Sequence, residues 1–144
     1  MISFKGLMGS GIFLMTLVFA GCSRSPIPSR LEVTATAYCS CEKCCDWVRG
    51  PNGQPVWATG PDKGKPKKVG MTSMGTKAHR GTVAADKHLY PLGTRLWVAG
   101  YGHAIVEDVG GGIKGNHIDL WFPTHKEALE WGSRTVTVEL IAEP

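Results

Sequence analysis

The chain has 144 residues, 42% of them hydrophobic, and a formal net charge of +4. That length suits one domain with a modest core and argues against a multidomain enzyme. A charge so near balance, with no stripe of alternating aromatic and basic residues, argues against nucleic acid as a partner.

Met1 to Gly21 carries one basic residue, Lys5, then an apolar run, then Phe19-Ala20-Gly21-Cys22. A weakly basic start, an apolar centre too short to span comfortably and a small-residue exit predict a secretory signal peptide over 1–21. The exit resembles a bacterial lipobox, which makes Cys22 the lipidated N-terminus and the membrane a partner through that lipid; an uncleaved anchor is the alternative. Either way the rest of the chain lies outside the cytoplasm. Residues 22–30, rich in Ser, Pro and Arg without periodicity, read as a tether. Serine after the lipidated cysteine, by resemblance to lipoprotein sorting in double-membraned bacteria, points to the outer membrane, facing the periplasm.

Leu31 to Tyr38 alternates with period two and predicts a strand. Cys39, Cys41, Cys44 and Cys45 follow at once. With Cys22 given to lipid, an even number of thiols remains in an oxidising compartment, so two disulfides are expected. The dense spacing strains pairing within the cluster, and a compact Cys₄ zinc site is the alternative. Under either reading the cluster staples a long loop; no base is evident beside it to make it a nucleophile. Gly50 to Arg80 is rich in Gly, Pro and Lys and shows no fixed period, so it reads as a long loop of functional or solvated character. Its lysines would steer anionic polymers toward a cleft, or simply solvate the loop. Trp47 and Trp57 offer faces for stacking on sugars, or cover the core edge.

Three short strands follow that place aspartate unusually. Gly81 to Asp86 ends in one, Ala104 to Val109 carries Asp108, and His117 to Phe122 holds Asp119 in mid-strand. Aspartate is depleted in strands because it bonds to its own backbone. Ile118, Leu120 and Phe122 share one face of the last of these strands, leaving His117, Asp119 and Trp121 on the other. The connecting Gly110-Gly111-Gly112-Ile113-Lys114-Gly115-Asn116 suits positive φ and close approach of backbone to a ligand. Breaking a local rule repeatedly around one glycine loop marks an expected functional site. Thr94 to Ala99 and Thr135 to Ile141 predict further strands. Between Asp119 and the last strand, Pro123 to Gly132 predicts a single short helix, with Thr124 and Glu127 as a capping box and Gly132 as its stop. Short strands, glycine turns and one helix suggest a small closed barrel.

The run from Gly81 to Phe122 resembles the three-aspartate, or 3D, domain shared by the membrane-bound lytic transglycosylase A family and stationary-phase-survival muralytic proteins. The motifs that carry the resemblance are Asp86, Asp108 and Asp119, Pro91-Leu92-Gly93-Thr94, and Asp108-Val109-Gly110-Gly111-Gly112-Ile113-Lys114-Gly115. Gly112 departs from the alanine that the family often has there. The resemblance implies an all-β, six-stranded double-psi β-barrel over 31–144. It implies a lytic transglycosylase that cleaves the bond between N-acetylmuramic acid and N-acetylglucosamine in peptidoglycan strands, with 1,6-anhydro products. Asp119 matches the family's acid/base position. Asp108 and Asp86 would tune its pKa and hold substrate, and Gly110, Gly111, Lys114, Gly115 and Asn116 would line the sugar cleft. No cofactor or metal is expected for such a reaction, and the chain is expected to act as a monomer. A wall-binding module of expansin-like or barwin-like fold that does not cut is the alternative.

Overall fold

The computed structural model describes residues 30–141. The signal peptide, the lipidation site Cys22 and all of the tether but Arg30 lie outside the described residues. Among the described residues no helix is long and apolar enough to cross a membrane.

Eight strands and one helix form in the order β1 (Arg30–Tyr38), β2 (Trp47–Arg49), β3 (Pro55–Trp57), β4 (Thr82–Ala85), β5 (Arg95–Val98), β6 (Gly102–Asp108), β7 (His117–Trp121), α1 (His125–Trp131) and β8 (Arg134–Leu140). Six of them close a barrel in the order β1-β7-β4-β6-β5-β8. β1 runs parallel to β7 and β4 parallel to β6, while the other pairs are antiparallel. Closure pairs both edges of every long strand, which removes the exposed edges an open sheet would leave. The expected all-β barrel with one short helix is therefore the fold, and its mixed strand directions suit the double-psi arrangement.

Alternation fills the interior. Val33 and Ala35 of β1, Val83 and Ala85 of β4, Leu96 and Val98 of β5, Val106 of β6, Ile118 and Leu120 of β7, and Val138 of β8 are all buried. Each alternates with a residue on the outer face, as period-two strands require. A second layer of aromatics closes one end. Tyr101 meets Phe122 edge-on at 5.4 Å between ring centroids, Trp131 lies 5.7 Å from Phe122, and the Trp131 indole N–H donates to the Ala35 carbonyl.

The segment 50–80 is more ordered than its composition suggested. β2 and β3 pair as a hairpin that joins Trp47 to Trp57, and isolated bridges tie Val56 to Pro66 and Met71 to Lys77. Three-residue strands with no apolar alternation leave no periodic signal, so the sequence pattern missed them.

The helix starts as its sequence predicts. Thr124 accepts from the Glu127 N–H at 3.2 Å and the Glu127 carboxylate accepts from the Thr124 N–H at 3.2 Å, a complete capping box. Gly132 ends it with φ +65. Replacing Thr124 with alanine orphans one N–H and should cost about 1 kcal/mol of stability in chemical denaturation. An unchanged midpoint would show that tertiary packing alone holds the helix.

Candidate active site

The barrel brings Asp108 and Asp119 to one cleft through strand register. In β7, Ile118 and Leu120 point inward and Asp119 outward, so the parity read from the sequence holds. Asp119 faces Ala84 across the antiparallel β4–β7 pair. On the other side of β4, Ala84 faces Asp108 across the parallel β4–β6 pair. This second pairing depends on an irregularity: Val83 faces Val106 but Ala84 faces Asp108, so Glu107 is an extra residue in β6. Without that bulge Asp108 would fall opposite Ala85 and turn to the core. Bulges of this kind re-aim side chains beside functional sites. The two aspartates thus flank a single alanine, their Cα atoms two strand spacings apart, about 10 Å.

The cleft above Ala84 has a volume of about 590 Å³. Its walls include Tyr38 at the end of β1 and Ser40 just past it, Trp57 and Lys67 from the long loop, Ser73, and Gly110, Gly111 and Ile113 from the glycine turn. Lys67 Nζ sits 3.5 Å from the centroid of the Trp57 ring and donates to the Cys45 carbonyl. Segment 50–80 therefore supplies one whole wall. Trp47 does not reach the cleft; its indole N–H donates to the Ser40 carbonyl at 3.0 Å.

The two carboxyl groups in this cleft have different surroundings. Asp108 accepts four hydrogen bonds: from the Ser73 N–H at 3.0 Å, the Ser73 hydroxyl at 2.7 Å, the Val109 N–H at 2.9 Å and the Tyr38 hydroxyl at 3.3 Å. Such a set fixes a carboxylate as an acceptor in one orientation. Asp119 has one donor among the described residues, the Thr36 hydroxyl at 2.7 Å from Oδ1. Parallel register places Thr36 directly opposite Asp119. Burial raises the Asp119 carboxyl above the ordinary value; the Thr36 bond and His117 act against this, and the charge of Asp108 adds to it. One carboxylate is pinned and the other is inclined to keep its proton, the separation of roles that acid–base chemistry requires.

His117 Nε2 lies 2.9 Å from the Thr36 hydroxyl. That hydroxyl has one proton, so while it donates to Asp119 it must accept from His117. A linear relay His117–Thr36–Asp119 results. Thr36, Tyr38, Ser73 and His117 were not among the residues singled out from the sequence. They sit in strand β1, in the long loop and beside Asp119, and only the register connects them.

Asp86 stands apart from the other two aspartates. It is absent from the cleft walls and does not reach Asp119; its Oδ2 accepts from the Gly115 N–H at 3.0 Å and its Oδ1 from the His88 N–H at 3.1 Å. Those two N–H groups hold its carboxyl below the usual range. Gly115, at φ +61, turns its amide to this carboxylate in the left-handed region that glycine enters freely. Asp86 therefore clasps the end of the glycine loop. Of the expected cleft lining, Gly110 and Gly111 are there, while Lys114, Gly115 and Asn116 are not. The Asn116 carbonyl instead accepts from the Thr34 N–H where β7 joins β1. A Cβ at Gly110 would meet Ile113 Cγ1 at 2.7 Å, so glycine is required there; at Gly112 nothing lies within 4 Å, and the family's alanine would fit.

The cysteines occupy the adjoining wall. All four described thiols are free. Cys39, Cys41, Cys44 and His125 gather their ligand atoms within 4.8 Å of one another, whereas Cys45 turns away and its Sγ approaches the Cys39 carbonyl at 3.1 Å. The sequence showed no base beside this cluster, yet the fold supplies one in His125.

Fold and site together define a small barrel with an acidic, aromatic-edged cleft. Residues 81–142 match the 3D domain family. It is 37% identical over 77% of its length to the cell wall-binding protein YocH of Bacillus subtilis, and 44% identical over 41% of its length to the putative cell wall shaping protein YabE of the same organism. The chain spans only 32% of YocH and 14% of YabE. A crystal structure of MltA from Escherichia coli, described as a lytic transglycosylase fold, superposes on 56% of this chain and 30% of that one, with a TM-score of 0.44 and 26% identity.

Ala84 forms the floor between the two aspartates, and its side chain points away from the core. Ala84→Leu should leave the barrel folded by circular dichroism while burying the Asp119 carboxyl further and raising its titration midpoint, read by carbon-13 resonance. An unchanged midpoint would show that the Ala84 side chain does not face that carboxyl.

Proposed function

We propose that this chain binds peptidoglycan glycan strands in the cleft over Ala84 and cleaves them as a lytic transglycosylase, with Asp119 as the single acid and base. The observation that supports this reading most is the contrast between its two carboxyls: Asp108 saturated by four donors, Asp119 half-buried with its proton affinity raised. In the first half of the reaction Asp119 gives its proton to the glycosidic oxygen as the bond from the muramyl C1 breaks. In the second, the same sugar's 6-hydroxyl oxygen bonds to C1 and its proton passes to Asp119, which restores the acid. No water is consumed, so no second carboxylate is needed to activate one. Asp108 supplies negative charge that favours positive charge at C1 and adds to the proton affinity of Asp119. Trp57 offers a stacking face, and Lys67 and Lys68 offer positive charge to the acidic substituents of the wall. Asp86, Lys114, Gly115 and Asn116 would shape the glycine loop rather than touch sugar. The relay from His117 through Thr36 would hold His117 with its proton on Nε2 and the Thr36 hydroxyl aimed at Asp119.

A second reading is a wall-binding module that holds the same strands without cutting them. The 37% identical relative, a cell wall-binding protein, favours it. Products separate the two. Purified full-length protein should release 1,6-anhydromuramyl fragments, each lighter by one water than a hydrolase fragment. Asp119→Asn should lower that rate by about 10² to 10⁴ with wall affinity nearly unchanged. Asp108→Asn should move the alkaline limb of the pH–rate profile to lower pH, because removing its charge lets the Asp119 carboxyl lose its proton more easily. Walls bound with nothing released would establish the binding module.

For the segment outside the described residues, we propose cleavage after Gly21 and lipidation of Cys22, so that residues 22–30 tether the barrel at the outer membrane on the periplasmic side. Cys22→Ala should move the protein from the membrane to the soluble fraction. Retention at the membrane would instead support an uncleaved anchor.

A further inference from the structure

The parallel pairing of β1 and β7 carries both strands to the same end of the barrel, Tyr38 opposite Trp121. Cys39 follows Tyr38 directly, and α1 begins at His125 just past Trp121. The Phe122 N–H donates to the Tyr38 carbonyl at 2.8 Å, which locks the two exits side by side. Just after Cys39 the chain curls: the N–H groups of Cys44 and Cys45 both donate to the Cys41 carbonyl, at 3.1 and 3.0 Å. That turn presents Cys41 and Cys44 from one side, with Cys39 and His125 closing the other.

We propose that Cys39, Cys41, Cys44 and His125 form a structural Cys₃His zinc site, with Cys45 outside it. Zinc bonds of about 2.3 Å to sulfur and about 2.0–2.1 Å to nitrogen imply tetrahedral edges near 3.8 Å between sulfurs and about 3.6 Å between sulfur and nitrogen. The observed edges are 3.8 Å from Cys39 Sγ to Cys44 Sγ, 3.6 Å from Cys41 Sγ to His125 Nδ1 and 3.4 Å from Cys44 Sγ to His125 Nδ1. A nucleophile needs one thiol and one base, whereas here three thiols converge on a single imidazole. On binding, each thiol gives up its proton to solvent and the neutral imidazole donates through Nδ1. Four protein ligands leave no open position, so the metal has a structural rather than a chemical task.

Its task follows from its neighbours. Cys44 lines the cleft, Tyr38 next to Cys39 holds Asp108, and the Trp121 indole N–H donates to the Ser40 hydroxyl at 3.1 Å. The metal clips the first turn of α1 to the loop that carries this wall. It does so whether the cleft cuts glycan or only binds it.

Full-length protein purified without chelator should carry one zinc per chain by elemental analysis and by native mass spectrometry. Cys45→Ser should keep that zinc, and His125→Ala, which removes a direct ligand, should weaken zinc affinity by more than the roughly 100-fold that loss of an outer partner can cost. His125→Cys should retain the metal, which keeps the test decisive if the alanine variant fails to fold. Cobalt substituted for zinc should give the spectrum of a three-thiolate tetrahedral site, unchanged by Cys45→Ser. Zinc lost in Cys45→Ser but kept in His125→Ala would establish a Cys₄ set instead. Protein without zinc and without free thiols among these cysteines would overturn the proposal in favour of two disulfides.

Discussion

One additional residue in β6 governs the geometry of the cleft. Strand parity sends every second side chain inward, and by that count Asp108 belongs on the core side beside Ala85. The bulge at Glu107 resets the count, so Asp108 emerges on the same face as Asp119 with Ala84 between them. Glu107 itself is buried and anchored, accepting from the Thr82 and Thr76 hydroxyls. Fixing that extra residue with two hydroxyls stabilises a distortion that would otherwise slip back into regular register.

The electrostatics of the cleft depend on this placement. A carboxylate with four donors is an expensive arrangement to assemble from distant segments, and here the donors come from β1, from the loop at Ser73 and from the chain just after Asp108. Its fixed charge acts on Asp119 across the width of β4. Asp119 in turn has its environment set by β1, since Thr36 is its register partner. The barrel is closed, so a shift in any one strand is resisted by its two neighbours. Two carboxyls with unlike surroundings, held at a constant spacing, is what this closure provides.

Much of this was legible in the sequence, and for identifiable reasons. Barrel strands with clean alternation, such as His117 to Phe122, reveal both their existence and their faces, and the helix announces itself through Thr124, Glu127 and Gly132. Aspartate in a strand is rare enough to point to Asp108 and Asp119. Asp86 has a sequence context like the other two, while its surroundings are set by the Gly115 amide, a contact 29 residues away that no local pattern shows. β2 and β3 are too short to show a period. His125 escaped notice because its nearness to Cys39 rests on the parallel pairing of β1 with β7, which no local pattern encodes. Thr36 and Tyr38 share the outward face of β1 and looked like ordinary strand positions, and only the closed barrel brings them to the two aspartates.

The central claim is that the fold raises the proton affinity of Asp119 by burying it beside Asp108. The most direct measurement is a carbon-13 titration of the Asp119 carboxyl in the folded protein, compared with Thr36→Val. The account predicts a midpoint above the ordinary 3.8, because burial outweighs the single hydrogen bond from Thr36. It predicts a further rise in Thr36→Val, where that bond is gone. A midpoint at or below 3.8 in the wild-type protein would contradict it.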